Sequence, residues 1–299
     1  MFTQRLTSSA TVHRDNSSLL RSKTFQRRLS MVIGLIVVSI GAAIELFPLA
    51  WMVSTALKDQ FAVLRFPPVW IPDPVLWGNF KTALTFMPFA RYFANTGIIT
   101  GLAVLGDVMS ASLIAFAFAR LRAPGRSFLF GLLLSTMLLP WQVTLIPTYV
   151  LFSKLGWINT FKPMIVPAYF GAAFSIFLLR QYYMTIPIEL DEAAVIDGAS
   201  PLRVYLRIIL PLSRAPLTTV GVFTFMHYWN EFIRPLIYIS SYEKYTLSVA
   251  LRGFTGMYGT TRWDLLMAAS LAAVLPCIVL FFVAQRYFIQ GIVVSGVKG

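Results

Sequence analysis

Two groups of polar residues stand out from an apolar background, and each suggests its own chemistry. The first is Glu189, Asp191, Glu192 and Asp197, four of only twelve acids in the chain, gathered around Glu192-Ala193-Ala194 and Gly198. Acids at the start of a helix oppose the positive end of its dipole. The second is His227, Asn230, Glu231 and Arg234, spaced by three and four and so on one face of a continuous helix. That face would serve either a hydroxyl-rich solute or an interhelical hydrogen-bond network. Glu45 and Asp107 lie within other apolar stretches, where an acid either relays a proton or cation or bonds a neighbouring helix. Catalytic and metal-ligating sets are missing from this inventory. Cys277 is a lone cysteine in an apolar run, best explained as a small filler. The stretch Gly253 to Gly259 is glycine-rich but lacks the lysine of a GxxxxGK[ST] phosphate loop, and its pattern predicts a flexible outer loop. A non-catalytic chain with no bound cofactor and no metal is expected.

The elements that must hold these groups are membrane spans. Of 299 residues, 57% are hydrophobic and 12% charged, against roughly a quarter charged in an ordinary soluble domain. Six stretches are long and apolar enough to cross a bilayer: 31–57, 93–119, 128–152, 164–183, 217–239 and 265–284. Arg180 lies near the end of the fourth and must snorkel, while Pro140 and Pro147 are expected to kink the third. The first is too long for a signal-peptide core and is expected to stay as an uncleaved helix. Residues 1–30 before it form a basic, hydroxyl-rich arm, expected to be disordered.

The net charge of +13 comes from scattered Lys and Arg, which argues for the positive-inside rule and against nucleic-acid binding. With the N-terminus inside, inner segments carry 15 basic residues and outer loops 9, so both termini are expected in the cytoplasm. The first outer loop then holds the proline-rich run Phe66 to Pro74, which cannot form a regular helix.

The acidic group falls on an inner loop, residues 185–211. Its sequence predicts a helix with Pro187 in the first turn and Gly198 as a left-handed stop. Ser200 then caps a second helix that has Pro201 at its first position and ends at Pro211. Ala193 and Ala194 leave room for close approach by another protein.

These residues also carry a resemblance. Glu192-Ala193-Ala194, Gly198, Ile208 and Leu210-Pro211 match every fixed position of the EAA loop of bacterial ABC-importer permeases. Phe47-Pro48-Leu49-Ala50-Trp51, Trp229-Asn230-Glu231-Phe232 and the tail Gln285 to Gly291 ending Val297-Lys298-Gly299 extend the likeness. The chain resembles carbohydrate permeases of the maltose-transporter type, on the side of the MalG-like subunit. That resemblance implies an all-α, six-span fold of type I ABC importers with a cytoplasmic coupling helix, over residues 31–299, in the bacterial inner membrane.

It further implies a permease subunit that moves a di- or oligosaccharide or a glycerol phosphate by alternating access. Its partners would be a second, homologous permease in a heterodimer, an ATPase pair that uses ATP and Mg, a periplasmic or lipid-anchored sugar-binding protein, and membrane lipid. Glu192 would meet a basic residue of the ATPase, with Ala193, Ala194, Asp197, Gly198, Leu210 and Pro211 shaping the docked surface. The loop around Gly253 would face the binding protein. The competing expectation is an ion-coupled secondary transporter using Glu45, Asp107 and Glu231. Such a protein has no need of the EAA loop, and the chain shows no doubled half.

Overall fold

The computed structural model of the chain describes residues 23–256 and 261–296. Every regular element among them is helical. Four helices are long and apolar enough to cross a membrane, or up to six if each of two bent pairs counts as one span.

The described part of the N-terminal unit, which ends at Ser54, lies in one helix, α1 (Lys23–Ala56), whose last two residues belong to the second unit. It starts inside the segment expected to be a disordered arm. Lys23, Arg27 and Arg28 are good helix formers, and no breaker separates them from the apolar run, so the helix propagates backward. Residues 1–22 of the expected arm lie outside the described residues.

The second unit begins at Thr55. Its first stretch is the proline-rich loop, irregular as expected after a short turn at Gln60–Val63. The loop is tied down by Asn79, whose Nδ2 donates to the carbonyls of Ala56 and Lys58 at 2.9 and 2.8 Å. Asn79 belongs to α2 (Gly78–Thr85), and α3 (Phe89–Arg120) follows as the central helix. Between its large buried residues at either end, α3 buries small ones at Ala103, Gly106, Ala111 and Ala115, which lets neighbouring elements approach closely in the absence of a hydrophobic drive between helices. At Gly106 a Cβ would fall 2.6 Å from the Tyr169 ring.

Three spans are interrupted. α4 (Arg126–Ser135) and α5 (Trp141–Lys154) meet at 98°, because Leu139 turns extended and Pro140 has no N–H to continue the ladder. Pro147 sits inside α5. The fourth span opens as short helical turns at 162–170, stops at Gly171 with φ +78°, and resumes as α6 (Ala173–Tyr183). The inner loop forms α7 (Glu189–Ile196) and α8 (Pro201–Val204), which continues through a π turn at Tyr205–Ile209 to Leu212.

The fifth span, expected to be continuous, is instead α9 (Arg214–Trp229) followed by α10 (Ile233–Tyr238). Pro235 accounts for the break, since a proline ring collides with the carbonyl four residues earlier, here that of Glu231. α11 (Leu247–Leu251) and α12 (Trp263–Gly296) complete the chain. Gly253 and Phe254 form a packed turn, with Phe254 buried and stacked on Phe86; Met257, Tyr258 and Gly259 of the expected flexible loop lie outside the described residues.

Two cores lie at opposite ends of α3. One gathers Phe89 and Tyr92 with Trp229, Leu247, Phe254 and Leu265, and Cys277 packs against it. The other gathers Ala111, Ala115 and Phe116 with Ile176, Leu179, Tyr183, Tyr205 and Ile209. The second core seats the inner loop on the membrane-spanning helices.

Candidate functional sites: a cavity at two helix breaks and an anchored inner loop

Where α6 begins and α9 ends, the interrupted spans leave a cavity of about 440 Å³ beside α3. Asp107, on the buried side of α3, is 3% exposed and fully engaged. Its Oδ1 accepts from the Ala172 N–H at 2.9 Å, and its Oδ2 accepts from Ser175 Oγ at 2.8 Å and Thr224 Oγ1 at 2.7 Å. The carboxylate therefore fills the place that an anion takes at a helix N-terminus, that of α6. At the break Gly171 takes φ +78°, a conformation open to glycine, and the next N–H, that of Ala172, is the one that reaches Asp107.

The polar stripe at the end of α9 divides in two. His227 and Arg234 reach the cavity, joined by Tyr228 and by the faces of Phe174 and Phe223. Glu231 stands between the two cations, with Oε2 at 3.7 Å from His227 Nε2 and 3.9 Å from Arg234 Nε, while its Oε1 accepts from the Arg234 N–H at 3.3 Å. The carboxylate thus closes the broken turn as well as balancing charge. Asn230 turns back to donate to Met226 O at 2.8 Å and is exposed. Residue spacing alone placed all four on one helical face; the break at 230–232 separates Asn230 from the others. Glu45 is exposed on α1.

Tyr228, Ser175 and Thr224 were not anticipated. Their types are ordinary in apolar helices, and only the fold brings Ser175 and Thr224 to Asp107 from two other spans. The signal available was Asp107 itself, a charge in hydrocarbon that must find donors.

The inner loop is held by different means. α7 ends in a Schellman-type stop: Gly198 has φ +77°, the Ala199 N–H reaches Ala194 O at 2.8 Å, and the Gly198 N–H reaches Val195 O at 2.9 Å. Pro187 precedes α7 instead of entering its first turn, since the helix starts at Glu189. Ser200 occupies the cap position of α8, but through its carbonyl, which accepts from Arg203 and Val204; its hydroxyl makes no cap bond. Glu192, Ala193 and Asp197 are exposed on the outward face, as is Gly198; Ala194 and Leu210 are half-buried against the inner core, and Pro211 is exposed.

Asp191, one residue before Glu192, points the other way. It is 9% exposed, and its Oδ2 lies 3.2 Å from Nε of Arg120, the last residue of α3. Arg120 Nη2 also donates to Ile186 O at 2.7 Å. Burial raises the Asp191 carboxyl above its ordinary range, against the pull of Arg120 and with a smaller push from Glu192. Beneath α8, Ser112 of α3 shares hydrogen bonds of 2.8 Å with both Tyr183 and Tyr205. Arg180 does not project away from the helix ends: its Nε donates to Phe118 O at 3.3 Å and its guanidinium lies 4.0 Å from the centre of the Phe130 ring.

The sequence and the fold are similar to those of known proteins. Residues 109–294, from the middle of α3 into α12, match the family described as binding-protein-dependent transport system inner membrane component. The chain is 35% identical over 266 residues to the sn-glycerol-3-phosphate transport system permease protein UgpE of Salmonella typhi, covering 86% of this chain and 93% of that one. It is 34% identical over 258 residues to the probable ABC transporter permease protein YurM of Bacillus subtilis (strain 168), covering 85% and 84%. Among solved structures, a bacterial ABC transporter involved in the import of the acidic polysaccharide alginate matches with a TM-score of 0.77 at 22% identity, over 88% of this chain and 98% of that one. This last likeness is one of fold. With an all-helical fold, interrupted spans and an outward-facing inner helix, the chain belongs to the family of inner-membrane components of binding-protein-dependent transport systems and is a non-catalytic permease subunit of an ABC importer.

Proposed function

We propose that the chain forms half of the transmembrane pathway of an ATP-driven sugar importer, paired with a second, homologous permease and seated on a pair of ATPase subunits. The observation that carries this reading is the division of α7 into two faces. Asp191 and Ala194 bind it to the body of the protein, whereas Glu192, Ala193 and Asp197 stand clear. A short helix fixed on one side and bare on the other suits a joint between subunits. Glu192 supplies the charge that pairs with an ATPase cation, Ala193 the close approach, and Gly198 the turn; Asp197, Leu210 and Pro211 border the same surface. ATP and Mg belong to the ATPase. The inner loop, and with it both termini, faces the cytoplasm, and a periplasmic or lipid-anchored binding protein delivers solute to the opposite side.

The cavity supports a polyhydroxylated solute. Aromatic faces at Phe174 and Phe223 suit the apolar side of a sugar ring, and Tyr228, His227 and Arg234 supply hydrogen-bonding groups around it. The named solutes of the relatives, sn-glycerol-3-phosphate and alginate, are of this broad class. Asp107, which a secondary transporter would use for coupling, is instead engaged by three donors that join α3 to α6 and α9.

The test is Glu192→Lys in the reconstituted importer. A charge-assisted contact is worth about 1.5–3 kcal/mol, so reversing the charge is expected to cut ATPase copurification or binding-protein-stimulated hydrolysis at least tenfold while the permease pair still inserts. Undiminished stimulated hydrolysis and uptake would refute the docking role.

A further inference from the structure

Among the ion pairs of the described residues, His227–Glu231, Arg234–Glu231 and Arg262–Asp264 join near neighbours in the chain, each through at least one partly exposed side chain. Arg120–Asp191 differs on both counts. It joins the end of a membrane-spanning helix to the first turn of the outward-facing inner helix, with side chains only 7% and 12% exposed. A buried ion pair is weak as a stabiliser, since desolvation offsets much of the attraction, and a well-packed apolar pair would serve stability as well. Its use must be sought elsewhere.

The geometry points to that use. One guanidinium holds two points of the loop: its Nη2 donates to Ile186 O, just before α7, and its charge lies 3.2 Å, through an Nε that makes no hydrogen bond, from Asp191 Oδ2 within the first turn. Two fixed points define a direction where one would allow a swivel, and the planar fork of arginine supplies them where lysine cannot. Each charge also complements the helix end on which it sits, Arg120 at the C-terminus of α3 and Asp191 at the N-terminus of α7. α3 runs without proline to Asp107 and beyond. At 1.5 Å per residue the tether lies about 20 Å along this helix from the cavity.

We propose that Arg120 is a positioning residue for ATP-driven transport: its guanidinium fixes α7 to the end of α3, so that displacement of α7 reaches the Asp107 cavity as movement of α3. Glu192 and Asp191 thereby divide the work of the acidic turn, the first engaging the ATPase and the second transmitting what the ATPase does. The proposal rests on the docking role assigned to α7 above.

The experiment uses the complete importer in proteoliposomes, with its binding protein purified together with its native ligand. ATPase copurification, stimulated hydrolysis and the melting temperature of the complex are measured for each variant. Arg120→Met leaves Asp191 buried and unpaired, and a lower melting temperature with at least a tenfold loss of stimulation is expected. The double variant Arg120→Met with Asp191→Leu removes both charges. Its melting temperature should return to that of the parent and ATPase should copurify, yet stimulation should remain at least tenfold down. Arg120→Lys keeps the charge but loses the fork, and a loss of about threefold is expected from that geometry. Arg122→Gln removes a charge from the same surface, where Arg122 is exposed, and should change nothing.

Full stimulation in the double variant would overturn the proposal, as would an equal loss in Arg122→Gln. Should the double variant fail to assemble, full stimulation in Arg120→Lys would overturn it instead. Glu192→Lys, run alongside, separates the two readings. If it has no effect, the docking role itself falls; if it uncouples while the Arg120 variants remain fully stimulated, only the tether falls.

Discussion

Two buried aspartates on or against α3 are held in opposite ways. Asp107 is surrounded by three neutral donors from two other elements, an N–H and a hydroxyl at the start of α6 and a hydroxyl of α9, and lacks a cationic partner among the described residues. Asp191 faces a single guanidinium, and its Oδ1 is buried without a hydrogen bond. Several short neutral bonds fix a carboxylate from all sides and make a rigid junction between α3, α6 and α9. One charged contact keeps Asp191 paired and leaves the rest of the group free to shift. The cavity wall is thus built to keep its shape, and the inner loop to keep its connection.

The strongest way to break this comparison is to remove the carboxylate at the rigid junction. Asp107→Ala leaves the Ala172 N–H, Ser175 and Thr224 without their acceptor. The hydroxyls can turn to backbone carbonyls within their own helices, but the N–H cannot. We expect a loss of about 3 kcal/mol, at one to three for each buried group left unpaired, seen as a lower melting temperature of the solubilised permease. Asp107→Asn, which keeps one acceptor oxygen, should lose about a third of that. Equal melting temperatures for the parent and Asp107→Ala would mean that the junction is not rigid.

At the inner loop the matching change acts on the backbone. Gly198 has φ +77° with open space around its Cα, so Gly198→Val meets no neighbour and suffers only conformational strain, about 1–2 kcal/mol. That strain should unwind the end of α7 without melting the spans. Limited proteolysis is expected to cut faster near residues 196–200 while the melting temperature of the whole stays close to the parent's. A global drop in stability would show that the loop and the spans form one cooperative unit.

Ser112→Ala tests the hydroxyl bridge beneath α8. Tyr183 and Tyr205 each lose a 2.8 Å partner, at a cost of about 1 kcal/mol. Burial holds the Tyr205 ring against Phe116 even without the hydrogen bond, so loosening of the loop should be smaller than in Gly198→Val by the same proteolysis.

What could be read from the sequence follows from how local each feature is. Apolar run length marks most spans, and Gly198 after an acidic, alanine-rich turn marks the stop of α7, because both depend on neighbours in the chain. The helix breaks at 171 and 230–232 are harder, since apolar composition continues across the first and the polar residues at the second keep the spacing of a continuous helix; Pro235 is the local clue to the second. The partners of Asp107 were out of reach, because Ser175 and Thr224 meet it only after three helices pack. The acids of α7 illustrate both cases. Their placement in the first turn is legible as complementing the helix dipole, but that Asp191 faces inward and Glu192 outward depends on where α3 ends. Gly253 and Phe254 misled by composition: a glycine-rich segment was expected to be loose, and Phe254 is buried in the core shared with Met87 and Leu265.

The smallest expected effect concerns Glu231, and it sharpens the contrast between fixed junction and mobile joint within the cavity itself. Its contacts to His227 and Arg234, at 3.7 and 3.9 Å, are longer than a strong charge-assisted bond, and Arg234 is about a third exposed. Glu231→Gln preserves shape and keeps an acceptor for the Arg234 N–H. The loss should therefore be under about 1 kcal/mol, as for exposed ion pairs, with uptake falling no more than about fivefold by the same figure. A carboxylate that carried a coupling proton would behave otherwise: the amide could not titrate, and accumulation would be abolished. Uptake into proteoliposomes at fixed internal ATP, with and without an uncoupler, distinguishes the two. Retained uptake that ignores the uncoupler is the outcome expected of a polar wall. Complete loss in Glu231→Gln, together with collapse of parental uptake by the uncoupler, would move Glu231 from the wall of the pathway to its driving step.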